Sequence, residues 1–391
     1  MGCDYPLFPM KFKKQTVYHF WVPNLFEYKG GIQVYLQDFL RIIVKTLPHY
    51  TIVVFNKLDK IKPKEEFERE KTKFVFSGGI PTFWRSFHFA FNLIMGALKA
   101  RPDLIICGHI NFAPIAFWIH RLTGIPYWIC VYGADAWDIQ DSWKKQALHS
   151  ADKIVSISGY TRDQLIREQA LNSEQISILP VTFDASRFKI APSPTYLLER
   201  HNLSPKQQII LTVGRLVSAE RHKGYDRIIQ ALPTIIQSIP NVHYLIVGKG
   251  DDRIRIEQLI QNLNLQKYVT LTGFIPDEEL GDYYNLCNLF AMPSKGEGFG
   301  IVYLEALACG KPTLGGNQDG AIDALCHGEV GVLVDPNDVG EIAKAVIQVL
   351  QGTYPNSIIY QPETLRQRVI ETYGMERFHK TLEQHIINFE I

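Results

Sequence analysis

Two carboxylates eight residues apart, Glu297 and Glu305, stand in an otherwise apolar, glycine-punctuated stretch, GEGFGIVYLEALACGKPTLGG at 296–316. If a helix begins near Phe299, the neighbours of Glu305 one turn away are Ile301, Val302, Ala308 and Cys309, which puts this acid on an apolar face. A buried carboxylate without a partner costs several kcal/mol or gives up its proton. A hydroxyl-rich ligand is therefore expected beside it, in preference to an ordinary solvated helix face. Gly298 and Gly300 let the backbone come close to a ligand, and the helix after them aims unpaired N–H groups and a partial positive charge at the same place. Phosphate there, with one acid before the helix and another inside it, points to a sugar carried on a nucleoside diphosphate.

A second group of residues fits the same ligand. The run IILTV (209–213) leads into GRLVSAERHKGYD, which places Arg215 and Lys223 eight residues apart with a helix starting near Tyr225. Arg offers a planar fork and Lys a point charge, so together they can hold a leaving diphosphate without a metal. Arg221 and Lys249 read as ordinary surface basicity. VGKGDD (247–252) lacks the third glycine of a dinucleotide fingerprint. Asp251-Asp252 and Asp135 with Asp138 lack metal-ligand spacing, and there is no HExxH, paired CxxC, EF-hand loop or GxSxG. No required metal or other cofactor is expected beyond the nucleotide-sugar donor.

The elements that must position these residues follow a βα rhythm. Strand-like runs at 16–22, 50–55, 103–107, 126–131 and 153–157 alternate with helical stretches such as 32–47, where Ile32, Leu36, Phe39, Ile43 and Leu47 share one stripe. A polar, proline-bearing segment at 183–208 interrupts as a linker. The rhythm resumes at 209–213, 225–239, 243–247, 253–263, 268–273, 288–293 and 331–334. The predicted fold class is α/β, with two Rossmann-like domains, 1–190 and 191–374. Ligands of such sheets bind beyond the carboxyl ends of the strands. In the first half that singles out Gly30 and Gly31, His109 in GHIN, and Tyr132-Gly133-Ala134-Asp135. Asp135 either orients an acceptor hydroxyl or bonds its own loop.

A chain of 391 residues exceeds one ordinary core, and 46% hydrophobic with 21% charged residues excludes disorder and collagen-like repeats. The net charge of +1 hides an imbalance: residues 1–180 carry 22 Lys+Arg and 16 Asp+Glu, whereas 181–391 carry 19 and 24. Lys11, Lys13, Lys14, Lys57, Lys60, Lys62, Lys64, Lys71 and Lys73 could face an anionic membrane or a phosphate-bearing acceptor, or simply water. The six cysteines, Cys3, Cys107, Cys130, Cys287, Cys309 and Cys326, form no CxxC and are expected to be reduced core residues. The first residues lack a signal-peptide core, and no uncharged apolar stretch reaches the ~18 residues of a membrane span. The expected location is cytoplasmic. FHFAFNLIMGAL (87–98) is expected as a buried or interfacial helix.

Taken together, EGFGIVYLEALACGKP with its Glu-x7-Glu signature and the upstream GRL…KG resemble the retaining glycosyltransferases of family 4 (glycosyl transferases group 1), which have the GT-B fold. The resemblance covers nearly the whole chain. It implies two Rossmann-like domains facing each other across a cleft, with a C-terminal helix, here 375–391, returning to an acceptor-binding first domain. It assigns Glu305 to the donor ribose, Glu297 to the transferred sugar, and the N–H groups of Gly300 and Ile301 to the phosphates. Phe274 and Ile275 would lie against the base and His109 near the sugar. Catalytic roles thus fall on Glu297, His109, Arg215 and Lys223. Donor contacts fall on Glu305, Gly298, Phe299, Gly300, Ile301, Val302, Phe274, Ile275, Gly214 and Gly248, and acceptor-side contacts on Gly30, Gly31, Tyr132 and Asp135. Many relatives have His-Gly where this chain has Tyr132-Gly133, so the acceptor side departs from the pattern.

The implied activity is metal-independent, retaining transfer of a hexose, with UDP-glucose as the expected donor, to a glycan or lipid-linked glycan in bacterial polysaccharide biosynthesis. Peripheral contact with the inner face of an anionic membrane is expected, and nucleic acid is not an expected partner. The rival readings are a nucleotide-sugar epimerase of similar fold, a non-catalytic sugar-binding protein and an NAD oxidoreductase.

Overall fold

The computed structural model describes residues 16–27, 30–47, 49–60, 67 and 71–390. Two compact units divide the chain, one of Met1–Val131 with Ile139–Val155 and one of Tyr132–Asp138 with Ser156–Ile391. Each contains runs rich in Ile, Leu and Val, with few polar interruptions, which suit strands covered on both faces.

The first sheet comprises β1 (Val17–Val22), β2 (Thr51–Asn56), β3 (Thr72–Phe76), β4 (Leu104–Cys107), β5 (Tyr127–Val131), β6 (Lys153–Ser156) and β7 (Ile176–Ile178) in the order β3-β2-β1-β4-β5-β6-β7. Its pairings from β3 through β5 are parallel, with Tyr18 of β1 opposite Ile52 on one side and Leu104 on the other. Phe20, Val54 and Ile106 are buried on one face, where Phe39 of the helix Gly31–Thr46 stacks on Phe20, and the helix also buries Tyr35, Leu36 and Ile43.

The second sheet comprises β8 (Gln208–Val213), β9 (Val242–Val247), β10 (Val269–Gly273), β11 (Leu289–Met292), β12 (Thr313–Gly316) and β13 (Val332–Val334). Its order is β10-β9-β8-β11-β12-β13, parallel throughout. The helix Tyr225–Ser238 turns Ile228, Ile229, Leu232 and Ile235 onto a core shared with Ile210, Tyr244, Ile246 and Leu289.

The α/β expectation therefore holds, with additions. β3, β7 and β12 carried no strand expectation. β12 reads only Thr-Leu-Gly-Gly, yet it is fully buried between β11 and β13, where ladder hydrogen bonds outweigh weak local propensity. The 183–208 linker is not wholly irregular: Thr195–Arg200 is helical because Leu197 and Leu198 find buried sites. Of the cysteines, Cys107, Cys130, Cys287 and Cys309 are buried free thiols and Cys326 is a partly buried one, while Cys3 lies outside the described residues. Lys11, Lys13, Lys14, Lys62 and Lys64 of the basic run also lie outside them.

Candidate functional site

In the second sheet the strand order reverses between β8 and β11, and the crevice outside the carboxyl ends of such a pair is where open α/β sheets bind ligands. Gly214 and Arg215 leave β8 there, and Ser294 to Gly300 leave β11. Across these two loops Lys223 Nζ donates to Glu297 Oε2 at 2.7 Å and lies 3.8 Å from Glu220 Oε2. Arg215 bonds the other oxygen of Glu220 and keeps a side chain 60% exposed.

Burial alone would push the Glu297 carboxyl up. The Lys223 ammonium, with smaller help from His222 and Arg215, wins and holds it below the usual range. Burial likewise opposes the charge on Lys223, but Glu297 and Glu220 raise its pKa above the ordinary value. Both groups are therefore charged at neutral pH, and the basic cluster is neutralised by carboxylates.

A residue that the sequence did not single out shapes this loop. Asp319, fully buried, accepts the backbone N–H groups of Gly296 and Glu297 through one oxygen and that of Ala321 through the other, each at 2.9 Å. Its signal was an Asp-Gly pair immediately before a short helix, a pattern that favours Asx turns. Burial raises its pKa despite these donors. Gly298 packs so closely that a Cβ there would sit 1.8 Å from the Tyr132 carbonyl oxygen. Gly300 has φ +90° and forms the N-cap of the helix Ile301–Ala308, with no side-chain cap on its first turn. The helix thus begins at Ile301, two residues later than Phe299. The chain needs Gly300 in the left-handed region to bring Glu297 back over the helix start, and Phe299 remains outside with its ring against Tyr373. Ile301 and Val302 are half-buried at the open end of the helix.

Glu305 is buried as its surroundings predicted, but it has a partner within the protein. The Tyr284 hydroxyl donates to its Oε2 at 2.7 Å. Tyr284 lies 21 residues earlier and no local pattern links the two. Burial, followed by the neighbouring Glu305, drives the Tyr284 phenol far above its ordinary pKa, so it serves as a donor. Tyr284→Phe is expected to lower stability by about 1–3 kcal/mol, the cost of removing a buried donor. A thermal unfolding midpoint equal to wild type would show that this bond contributes nothing.

The surface cations Arg221 and Lys249 each have a partner. Lys249 lies over the Phe274 ring, 5.0 Å from its centroid, and that ring is 67% exposed beside half-buried Ile275. Arg221 donates to Asp252 at 2.9 Å, because the turn Ser218–Lys223 folds back towards the loop after β9. The Asp251-Asp252 pair that lacked metal spacing is the anchor of that turn. Asp251 accepts the backbone N–H and hydroxyl of Ser218, and Asp252 accepts from Tyr225, Arg221 and Arg255. Gly248, just before this anchor, abuts Gly214. Among the described residues, no group of three His, Cys, Asp or Glu side chains is placed to hold a metal ion.

Residues 132–138 belong to the second unit, and Asp135 Oδ1 accepts the Tyr132 N–H at 3.0 Å, a bond within its own loop. Gly30, Gly31 and His109 belong to the first unit. There too the order reverses, between β1 and β4, and His109 follows β4 while Gly30 caps the helix Gly31–Thr46. Asn111 N–H donates to His109 Nδ1 at 3.2 Å. Burial, then Lys144 and Lys57, lower the His109 pKa to about 4, so its ring is neutral at neutral pH.

Residues 197–368 match the family described as glycosyl transferases group 1, and residues 29–187 match glycosyltransferase family 4. With both halves matched in order over two parallel-sheet units, the chain belongs to the group 1/family 4 glycosyltransferases of GT-B fold. It is 34% identical over 212 residues to a GDP-mannose-dependent alpha-(1-6)-phosphatidylinositol monomannoside mannosyltransferase of Mycolicibacterium smegmatis, covering 52% of this chain and 54% of that one. The chain spans about half the length of the first curated relatives it matches. Its fold is shared with a sucrose-phosphate synthase of Thermosynechococcus elongatus, at TM-score 0.76 and 21% identity over 96% of this chain and 99% of that one. It is also shared with Anabaena HepE in complex with UDP and glucose, at TM-score 0.75 and 17% identity over 96% and 100% of the two chains.

Proposed function

We propose that the chain transfers a hexose from a nucleotide sugar to a hydroxyl of a glycan or lipid-linked glycan, without a required metal and with retention at the anomeric carbon. The observation that carries this reading is the meeting of Arg215, Lys223 and Glu297 with the uncapped start of the helix Ile301–Ala308, at the switch point of the second sheet. In this reading residues 191–374 bind the donor, while 1–190 with the C-terminal helix Met375–Glu390 serve the acceptor.

Arg215, Lys223 and the N–H groups at Gly300 and Ile301 hold the diphosphate. Glu305, braced by Tyr284, takes the ribose hydroxyls, Phe274 and Ile275 lie against the base, and Glu297 takes hydroxyls of the sugar. As the bond from the anomeric carbon to the phosphate oxygen breaks, negative charge grows on the leaving group where the cations stand. The acceptor oxygen forms its bond to the same face of that carbon, and its proton passes to the departing phosphate. Neutral His109 donates to or accepts from a sugar hydroxyl without adding charge.

UDP-glucose is the first donor we propose. GDP-mannose is the second, because the Mycolicibacterium smegmatis relative is described as GDP-mannose-dependent. The test is nucleotide release from UDP-, GDP- and ADP-sugars with EDTA present, for wild type, Glu305→Ala and Arg215→Ala. Release from one donor that survives EDTA and falls in both variants is expected. A donor that is epimerised, or bound without release, would transfer the site to the epimerase or sugar-binding reading.

A further inference from the structure

The helix Thr82–Ala100 has two apolar faces, only one of which the fold uses. Phe89, Leu93 and Ala97 pack inward. Phe83, Trp84, Phe87, Phe91, Ile94, Met95 and Leu98 stand 40–78% exposed. At ~100° per residue these seven fall within an arc of roughly 120°, separate from the packed arc, so they form one continuous outward stripe. Scattered exposed apolar residues need no explanation, but a stripe of this kind marks an interaction surface.

The surrounding charge says what covers it. The helices Ala113–Thr123 and Ser142–His149, of which the first packs against Thr82–Ala100 and the second against the first, expose Trp118, Leu122 and Trp143. Across these three helices there is no Asp or Glu, while Arg85, Lys99, Arg121, Lys144 and Lys145 lie on them. Between residues 82 and 149 the carboxylates are Asp103, Asp135 in the short helix Ala134–Trp137, Asp138, and Asp141 at the N-cap of Ser142–His149. Aromatic and aliphatic side chains facing outward, on helices that carry cations and no carboxylate and with Asp141 at the N-cap of Ser142–His149, match the composition of a helix that lies in the plane of an anionic lipid surface. No helix of the described residues is long and apolar enough to cross a membrane.

We infer that the Thr82–Ala100 helix seats the first unit on an anionic bilayer by inserting Phe83, Trp84, Phe87, Phe91 and their aliphatic neighbours into the headgroup boundary. The purpose of that contact, reach to a lipid-linked acceptor, rests on the proposed transferase reading. The contact itself does not.

The full chain would be sedimented with phosphatidylcholine vesicles, with and without phosphatidylglycerol, at low and high salt, alongside Phe87→Asp/Phe91→Asp and Lys99→Gln/Arg121→Gln. The expected result is binding to the anionic vesicles that weakens about tenfold or more in each variant, with a blue shift of tryptophan emission in wild type only. Unchanged circular dichroism and unchanged nucleotide release without acceptor would show that the variants fold and keep the donor site. Wild type that binds neither vesicle overturns the inference. So does a wild-type dimer that Phe87→Asp/Phe91→Asp converts to monomer without any vesicle binding, since a second copy would then cover the stripe. Vesicle binding without any donor turnover would keep the surface and remove the transferase reading, and the reverse result would do the opposite.

Discussion

Lys223→Met is expected to reduce nucleotide release by about two to three orders of magnitude, the loss seen when one fixed donor to a developing negative charge is removed. The substitution keeps most of the side-chain length and deletes only the ammonium. It also leaves Glu297 in its partly buried place without its nearest cation, so the force that remains largest on that carboxyl is burial, which raises its pKa. Two effects are thereby mixed, and Lys223→Met/Glu297→Gln separates them. Taking away the unpaired charge should restore the unfolding midpoint lost in the single variant, because an uncompensated buried charge is the costly species. Activity should stay low, because neither substitution returns a cation to the diphosphate. A double variant that recovers both would show that Lys223 only steadies Glu297. Steady-state release by the two variants, beside their thermal midpoints, decides the matter.

Asp252→Ala should lower stability by about 2–3 kcal/mol, because it leaves the Tyr225 hydroxyl without its acceptor and two partly exposed guanidinium groups without their counter-charge. The Asp252 side chain is fully buried and receives the Tyr225 hydroxyl together with the Arg221 and Arg255 guanidinium groups. Burial works against its charge, but Arg255, Tyr225 and Arg221 outweigh burial and bring its pKa to about 2, from an ordinary 3.8. A folded-state pKa below the unfolded one stabilises wherever the unfolded group is ionised. The contribution is therefore complete above about pH 5, shrinks as pH falls through 3.8, and is lost as pH falls below about 2; about 2 kcal/mol is involved. The stability gap between wild type and Asp252→Ala should narrow by about 2 kcal/mol across that window, and a gap of constant size would disprove the assignment. Because Asp252 ties Arg221 and Tyr225 on either side of Lys223, the variant should also lose donor turnover, chiefly as a rise in KM.

The sequence by itself determined the α/β class, the two successive sheets and the identity of the chemical groups. Those features lie in short patterns: the period of apolar residues, glycine before a helix, an acid among apolar neighbours, and two cations after one strand. Such patterns are local, so they survive without knowledge of the fold. Tertiary structure decided which groups meet. The pairing of β8 with β11 sets Lys223 on Glu297 across 74 residues, and the packing of the segment Leu280–Leu286 delivers Tyr284 to Glu305. It also turned Asp252 and Asp319, unremarkable in the sequence, into the anchors of the two site loops, and left one face of the Thr82–Ala100 helix bare. Burial and hydrogen bonding between distant segments create those roles, because a polar group removed from water must take its partner from whatever the fold brings beside it.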